Sequence, residues 1–176
     1  KGSDGEVKNI MRVPLAYGPK QKFLARLESQ PSLTDPKVAI KLPRMSFEIT
    51  GLVYDAASKL PKMNQIVRGS GTTRDAIYTS APYNMGIQLS IMAKNQDDAL
   101  QIIEQIIPYF QPEYTITINE VPEVGIKSDV PITLSSVVLA EDYEGDFLSR
   151  RAIVYTLDFE LKVKFYGPVQ QRGVIV

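Results

Sequence analysis

The sequence predicts an α+β fold: a mixed or mainly antiparallel sheet of about five strands packed by two helices, with a long arm projecting between two strands. Three observations carry this. Several stretches alternate apolar and polar residues, two shorter ones place apolar residues at helical spacing, and one long segment keeps no period. The 176 residues are read as one domain, residues 1–176, with the arm at about 55–82.

The strongest alternation is AIVYTLDFELKVKFY, where Ile153, Tyr155, Leu157, Phe159, Leu161, Val163 and Phe165 face one way. Thr156, Asp158, Glu160, Lys162 and Lys164 face the other, toward solvent or a polar neighbour. Leu157→Asp is therefore expected to abolish folding and Thr156→Asp to be far milder. The same period runs through RMSFEITGLVY, with Met45, Phe47, Ile49 and Val53 in phase, and through NMGIQLSIMAK, with Met85, Ile87, Leu89 and Ile91 in phase. VPITLSSVVLA (130–140) is β-rich with Pro131 near its start, and YTITIN (114–119) is a shorter strand.

DDALQIIEQII predicts a helix with Asp97 as cap, Asp98 complementing the dipole, and Leu100, Ile103, Ile106 and Ile107 as the apolar stripe. Pro108 is expected to end it, with Tyr109 and Phe110 as core plugs. A second helix is expected from Pro19, with Phe23, Leu24 and Leu27 on one face. SQPSLTDPK (29–37) reads as a surface connector. From Asp55 to Pro82 the chain runs between two strong strands without periodicity, longer than ordinary loops, and reads as a projecting arm.

Composition narrows the chemistry. Lysine plus arginine and aspartate plus glutamate both number 20, so any charged partner must meet a local patch. Cysteine and histidine are both absent, which removes disulfides, thiolate chemistry, the commonest metal ligands and the side chain best suited to proton transfer near neutrality. No cofactor and no metal site are expected. No apolar run reaches the roughly 20 residues that span a bilayer, and KGSDGEVKN has no hydrophobic signal core, so a soluble protein is expected. The first residue is Lys1, which points to a processed or trimmed chain.

Motifs that invite chemistry fall short of it. GSGTT (69–73) lacks the lysine and spacing of a phosphate loop and reads as the tip of the arm. Glu141, Asp142, Glu144 and Asp146 lack the order of a calcium loop and read as a solvated turn. Serine and threonine have no histidine base, and nothing brings Glu104 and Glu120 together as a carboxylate pair, so an enzyme is not expected.

Four segments carry a family resemblance: MRVPLAYGPKQKFLARL (11–27), LPRMSFEITGLVYD (42–55), LQIIEQIIPYFQPEY (100–114) and LSRRAIVYTLDFEL (148–161). In order, and across nearly the whole chain, they resemble the tail sheath stabilizer and completion family of T4-like contractile-tailed phages. The resemblance implies a tail-terminator-like domain and a homohexameric ring in the virion neck. Such a ring caps the tail tube and last sheath ring, holds the extended sheath and offers a docking face to the head. The implied partners are the chain itself, the tail sheath protein, the tail tube or its terminator, and a head-side neck or connector protein. DNA is only passing cargo, no membrane is involved, and assembly takes place in the host cytoplasm. A tail-tube terminator or head-side neck adaptor is the nearest alternative; a small ligand-binding module or enzyme is a distant one. The T4 representative carries a longer C-terminal extension than GPVQQRGVIV, so functions of that extension do not carry over.

Within the arm, Lys59, Lys62, Arg68 and Arg74 are opposed from Lys59 onward only by Asp75. A basic projection on a neutral protein points to an acidic partner surface, either the sheath subunit or a neighbouring ring subunit. Arg150 and Arg151 either neutralise the acidic turn before them or cross a subunit interface.

Overall fold

The computed structural model describes residues 12–28, 42–68, 73–111, 113–141 and 153–173. In chain order these form β1 (Leu15–Tyr17), α1 (Lys20–Glu28), β2 (Arg44–Tyr54), β3 (Gln65–Arg68), β4 (Thr73–Tyr78) and β5 (Ala81–Ala93). There follow α2 (Gln96–Ile106), a 3-10 turn (Ile107–Tyr109), β6 (Glu113–Val121), β7 (Ile126–Glu141), β8 (Ile153–Phe165) and β9 (Gln170–Gly173).

The expected strands are all present, as β2, β5, β6, β7 and β8. They belong to a six-stranded sheet of order β1-β2-β5-β8-β7-β6. It is mixed: β1 runs parallel to β2, with Leu15 opposite Met45, and β6 runs antiparallel to β7, with Tyr114 opposite Ile132. Val124 and Gly125 amides bond back to Val121 and Pro122 carbonyls in the β6–β7 turn, where Gly125 takes φ 64°, a conformation that favours glycine.

The segment read as an arm contains two short strands. β3 and β4 form an antiparallel hairpin, Gln65 opposite Tyr78 and Arg68 opposite Asp75, and β9 adds a third strand along β4. Residues 69–72 of the GSGTT string, the 29–37 connector, Asp142 to Asp146, Pro112, Arg150 and Arg151 lie outside the described residues.

The chain divides into two compact units, each described by itself. The first comprises Lys1–Glu48, Gln88–Gln105 and Val137–Leu157. Here Phe23 of α1 packs with Met92 and Val154, and Ala16, Leu24 and Leu42 close around them. Arg44 lays its guanidinium over the Phe23 ring at 4.9 Å, and Tyr17 meets Phe47 edge-on at 5.4 Å. The second comprises Ile49–Ile87, Ile106–Ser136 and Asp158–Val176. Its core joins Ile77 to Val121 and Val124, flanked by Ile126, Tyr166 and Val169.

Burial departs from the sequence pattern at several points. The start of β8 is buried on both faces, because Val154 and Thr156 are enclosed as well as Tyr155, Leu157 and Phe159. Phe165, in phase with Leu157, is 48% exposed. In β2 the buried residue is Ser46, whereas Ile49 and Val53 are exposed, so their shared phase marks a face without marking a core. In α2 the enclosed residues are Ala99 and Ile103, while Leu100, and Ile107 just past the helix end, are exposed. Tyr109 is exposed too, and only Phe110 acts as a plug, 5.0 Å from Phe159 and 6.1 Å from Tyr114.

The helix ends also differ slightly. α2 begins at Gln96 with the Ala99 amide bonded to Asn95 O, which leaves Asp97 and Asp98 in the first turn where both favour the dipole. It ends at Ile106, and Pro108 sits in the 3-10 turn that follows. α1 starts one residue after Pro19; the side chain of Leu27 is outside those described.

Candidate partner-binding surface

The basic segment has a fixed base. The Asp55 amide donates to Pro82 O at 3.1 Å, and the Asp55 carboxylate accepts bonds from the Ser58 hydroxyl (2.6 Å) and the Ala57 and Ser58 amides. The Ser58 hydroxyl above all holds the Asp55 carboxyl below its ordinary pKa, helped by the two amides and the Lys162 charge and opposed by desolvation. Thr79 pins the turn from the other side, its hydroxyl donating to Pro61 O and its amide to Asn64 O.

Between this turn and the β4–β5 junction lies a cleft of about 410 Å³ whose lining includes Lys59, Lys62, Thr79 and Ser80. Its wall continues into an aromatic row, Tyr54 against Tyr83 and Tyr83 against Phe165, each pair edge-on at 5.5 Å. Nearby in sequence, Met63 is 87% exposed and Leu60 and Val67 about half exposed. Of these, Leu60 also lines the cleft, beside Lys59 and Lys62.

The four cations of the segment therefore have different settings. Lys59 and Lys62 share the cleft. Arg68 donates through Nη1 to the Val124 and Gly125 carbonyls at 3.1 and 3.2 Å, which ties β3 to the β6–β7 turn. Arg74 is exposed on β4 and stands in register opposite Arg172.

A second cavity, of about 380 Å³, was not visible in the sequence pattern. β2, β5, β7 and β8 line it, and it is rich in hydrogen-bond acceptors: Thr50, Asn84, Ser135, Asp158 and Glu160. Gly86 opens it, because a Cβ there would collide with Thr50 Oγ1. A glycine in the middle of an otherwise alternating strand is the one sequence signal that marks such a close approach. Asp158 is held by a 2.7 Å bond from the Ser136 hydroxyl. Among the described residues no group of three or more acidic residues could hold a metal ion.

The class of protein that fits a β-rich scaffold with an open, lysine-lined cleft and exposed apolar side chains is one that meets other macromolecules through its surface. The chain belongs to the T4-like virus Myoviridae tail sheath stabiliser family, whose model matches residues 1–176. It is 35% identical over 174 residues to the tail completion protein gp15 of Enterobacteria phage T4. That match takes in 95% of this chain but 64% of the T4 protein, so the chain spans less than two thirds of that relative's length.

Proposed function

We propose that the chain is a structural, non-enzymatic ring subunit at the head-proximal end of a contractile phage tail. Six copies cap the tube and the last sheath ring, hold the sheath extended and present a docking face to the head side of the neck. Family membership over the whole chain is the observation that carries this reading. The exposed apolar residues Leu60, Met63 and Val67, close in sequence to Lys59 and Lys62, support it, since exposed apolar surface favours contact with protein. The mechanism is mechanical. Once one subunit of a ring docks, the others bind at high effective concentration, so modest patches repeated around the ring resist a strained sheath.

Within this reading Lys59 and Lys62 grip an acidic surface of the sheath subunit, and Arg68 holds the gripping hairpin in place. The test has two parts. Purified protein and reconstructed tail necks are examined for a closed ring with subunit interfaces at or above roughly 1,000 Å² of buried area. Lys59→Glu/Lys62→Glu protein is then compared with wild type for retention of extended sheath at several ionic strengths. The double variant is expected to fold, because both lysines are exposed, and to lose sheath in a salt-sensitive way. A strictly monomeric protein in both settings overturns the ring. Undiminished sheath retention at low salt overturns the grip.

A further inference from the structure

We propose that copies of this chain join sheet to sheet: the outer edge of β2 in one copy takes the outer edge of β6 from a second copy as its neighbouring strand. The inference deepens the ring reading above and rests on it.

β2 outruns its partner. β1 pairs only with Met45 to Phe47, and the six residues from Ile49 to Tyr54 have no strand on their outer side among the described residues. Ile49, Leu52, Val53 and Tyr54 are between 43% and 67% exposed, so the stretch is open. Gly51 lies in its middle, and a Cβ there would meet nothing within 4 Å. No contact within the chain requires glycine at that point, whereas close approach by another backbone would use it. Folded proteins ordinarily blunt a free edge with charge or proline, and Ile49–Tyr54 has neither. An unguarded, apolar edge of this kind fits an added strand.

The occupant is argued from the opposite end of the same sheet. β6 ends the strand order β2-β5-β8-β7-β6 and has β7 alone as a partner among the described residues. Between Glu113 and Glu120 it too runs six residues, Tyr114–Asn119, without charge or proline, and all of them but Ile116 are exposed. Both stretches lie whole within the second compact unit. They match in length, set no like charges against each other, and bring β-branched and aromatic side chains that pair well across strands. Tyr114 supplies a ring of the kind that covers an edge glycine from the neighbouring strand, as Gly51 requires. Other edges fit less well: β1 has three residues, β3 and β9 have four and each carries an arginine. The part of β7 beyond Thr133 divides between the two units. Contact between two different edges of identical chains is head-to-tail, the type that closes into rings, whereas either edge paired with itself would stop at two copies.

Edge guards test it, under conditions where wild-type rings form, in solution or on tube ends. Leu52→Lys and Ile118→Lys, both at exposed positions, should leave the circular-dichroism spectrum unchanged and each lower the assembled fraction by about tenfold or more. A second readout does not depend on how the lysine variants fold. Because the chain has no cysteine, single cysteines at Ile49, Leu52 or Val53 can be mixed with single cysteines at Tyr114, Ile116 or Ile118 and the rings mildly oxidised. At least one β2 variant should form a disulfide with a β6 variant, and no variant should do so with itself. Folded lysine variants that assemble like wild type, disulfides within one strand's variants, or none between the two sets would each overturn the pairing and leave the ring standing. Wild-type protein that forms no ring in either setting overturns both.

Discussion

Leu157 and Phe165 provide a direct contrast, because they share a strand and an alternation phase but not an environment. Leu157 has no exposed surface, whereas Phe165 is 48% exposed and makes one edge-on contact with Tyr83 at 5.5 Å. Truncating a fully buried leucine to alanine removes its transfer free energy and leaves a cavity, so Leu157→Ala should cost about 3–4 kcal/mol. Phe165→Ala loses a half-buried ring and one aromatic pair, about 1–2 kcal/mol. For a chain of this size each kcal/mol lowers the melting midpoint by roughly 2–4 °C, which places the two variants several degrees apart. Thermal melts followed by circular dichroism, with urea titrations to check that the m-value is unchanged, measure both. Equal losses for the two variants would refute the burial pattern and restore the plain alternation.

Three further outcomes follow from particular contacts. Thr156→Asp should abolish soluble folding much as Leu157→Asp does, since Thr156 is only 9% exposed; soluble, folded protein would restore the polar face read from the sequence. Gly86→Ala should cost about 1–3 kcal/mol through collision with Thr50 Oγ1, and Thr50→Ala in the same chain should recover most of it; urea midpoints of the three variants decide. Tyr166 has its phenol pKa raised above 10.0, by burial first and then by the charge and hydrogen bond of Glu120, with a Ser80 bond working against them. A raised folded-state value favours the neutral phenol, so its contribution is complete below the ordinary tyrosine pKa and is lost as pH rises through the folded value. Wild type should accordingly lose more stability than Tyr166→Phe when urea titrations are carried from about pH 8 to about pH 11.

The main sheet was legible because its strands are long enough for a period of two to stand out, as in the run from Ile153 to Phe165. Alternation reports which residues share a face; whether another layer covers that face depends on the rest of the chain. That is why Ile49 and Val53 looked like core and are exposed, and why Thr156 looked like surface and is enclosed. The hairpin escaped detection because QIVR and TRDAIY are each too short for periodicity to rise above composition. QQRG has no apolar residue and is a strand only because β4 offers it a ladder. At the candidate surface the basic residues were visible as a cluster. That Arg68 turns inward onto the Val124 and Gly125 carbonyls was not, since the partners are backbone atoms distant in sequence. Nor was the acceptor-rich cavity, which gathers residues from four strands.

The ladder between β4 and β9 has a consequence for synthesis. Thr73 pairs with Gly173 and Ala76 with Gln170, so the three-stranded sheet joins a mid-chain hairpin to residues near the C-terminal end of the sequence. A hairpin closes in microseconds, but non-local pairing must wait for its distant partner and forms slowly. During translation the β3–β4 pair therefore leaves the ribosome with the β4 edge bare until β9 emerges. An unprotected strand edge is a template for wrong pairing between chains. Truncations that remove β9 should consequently yield protein whose main sheet forms but which aggregates through this edge, and the order in which the chain is made becomes a control on when the hairpin is ready to bind.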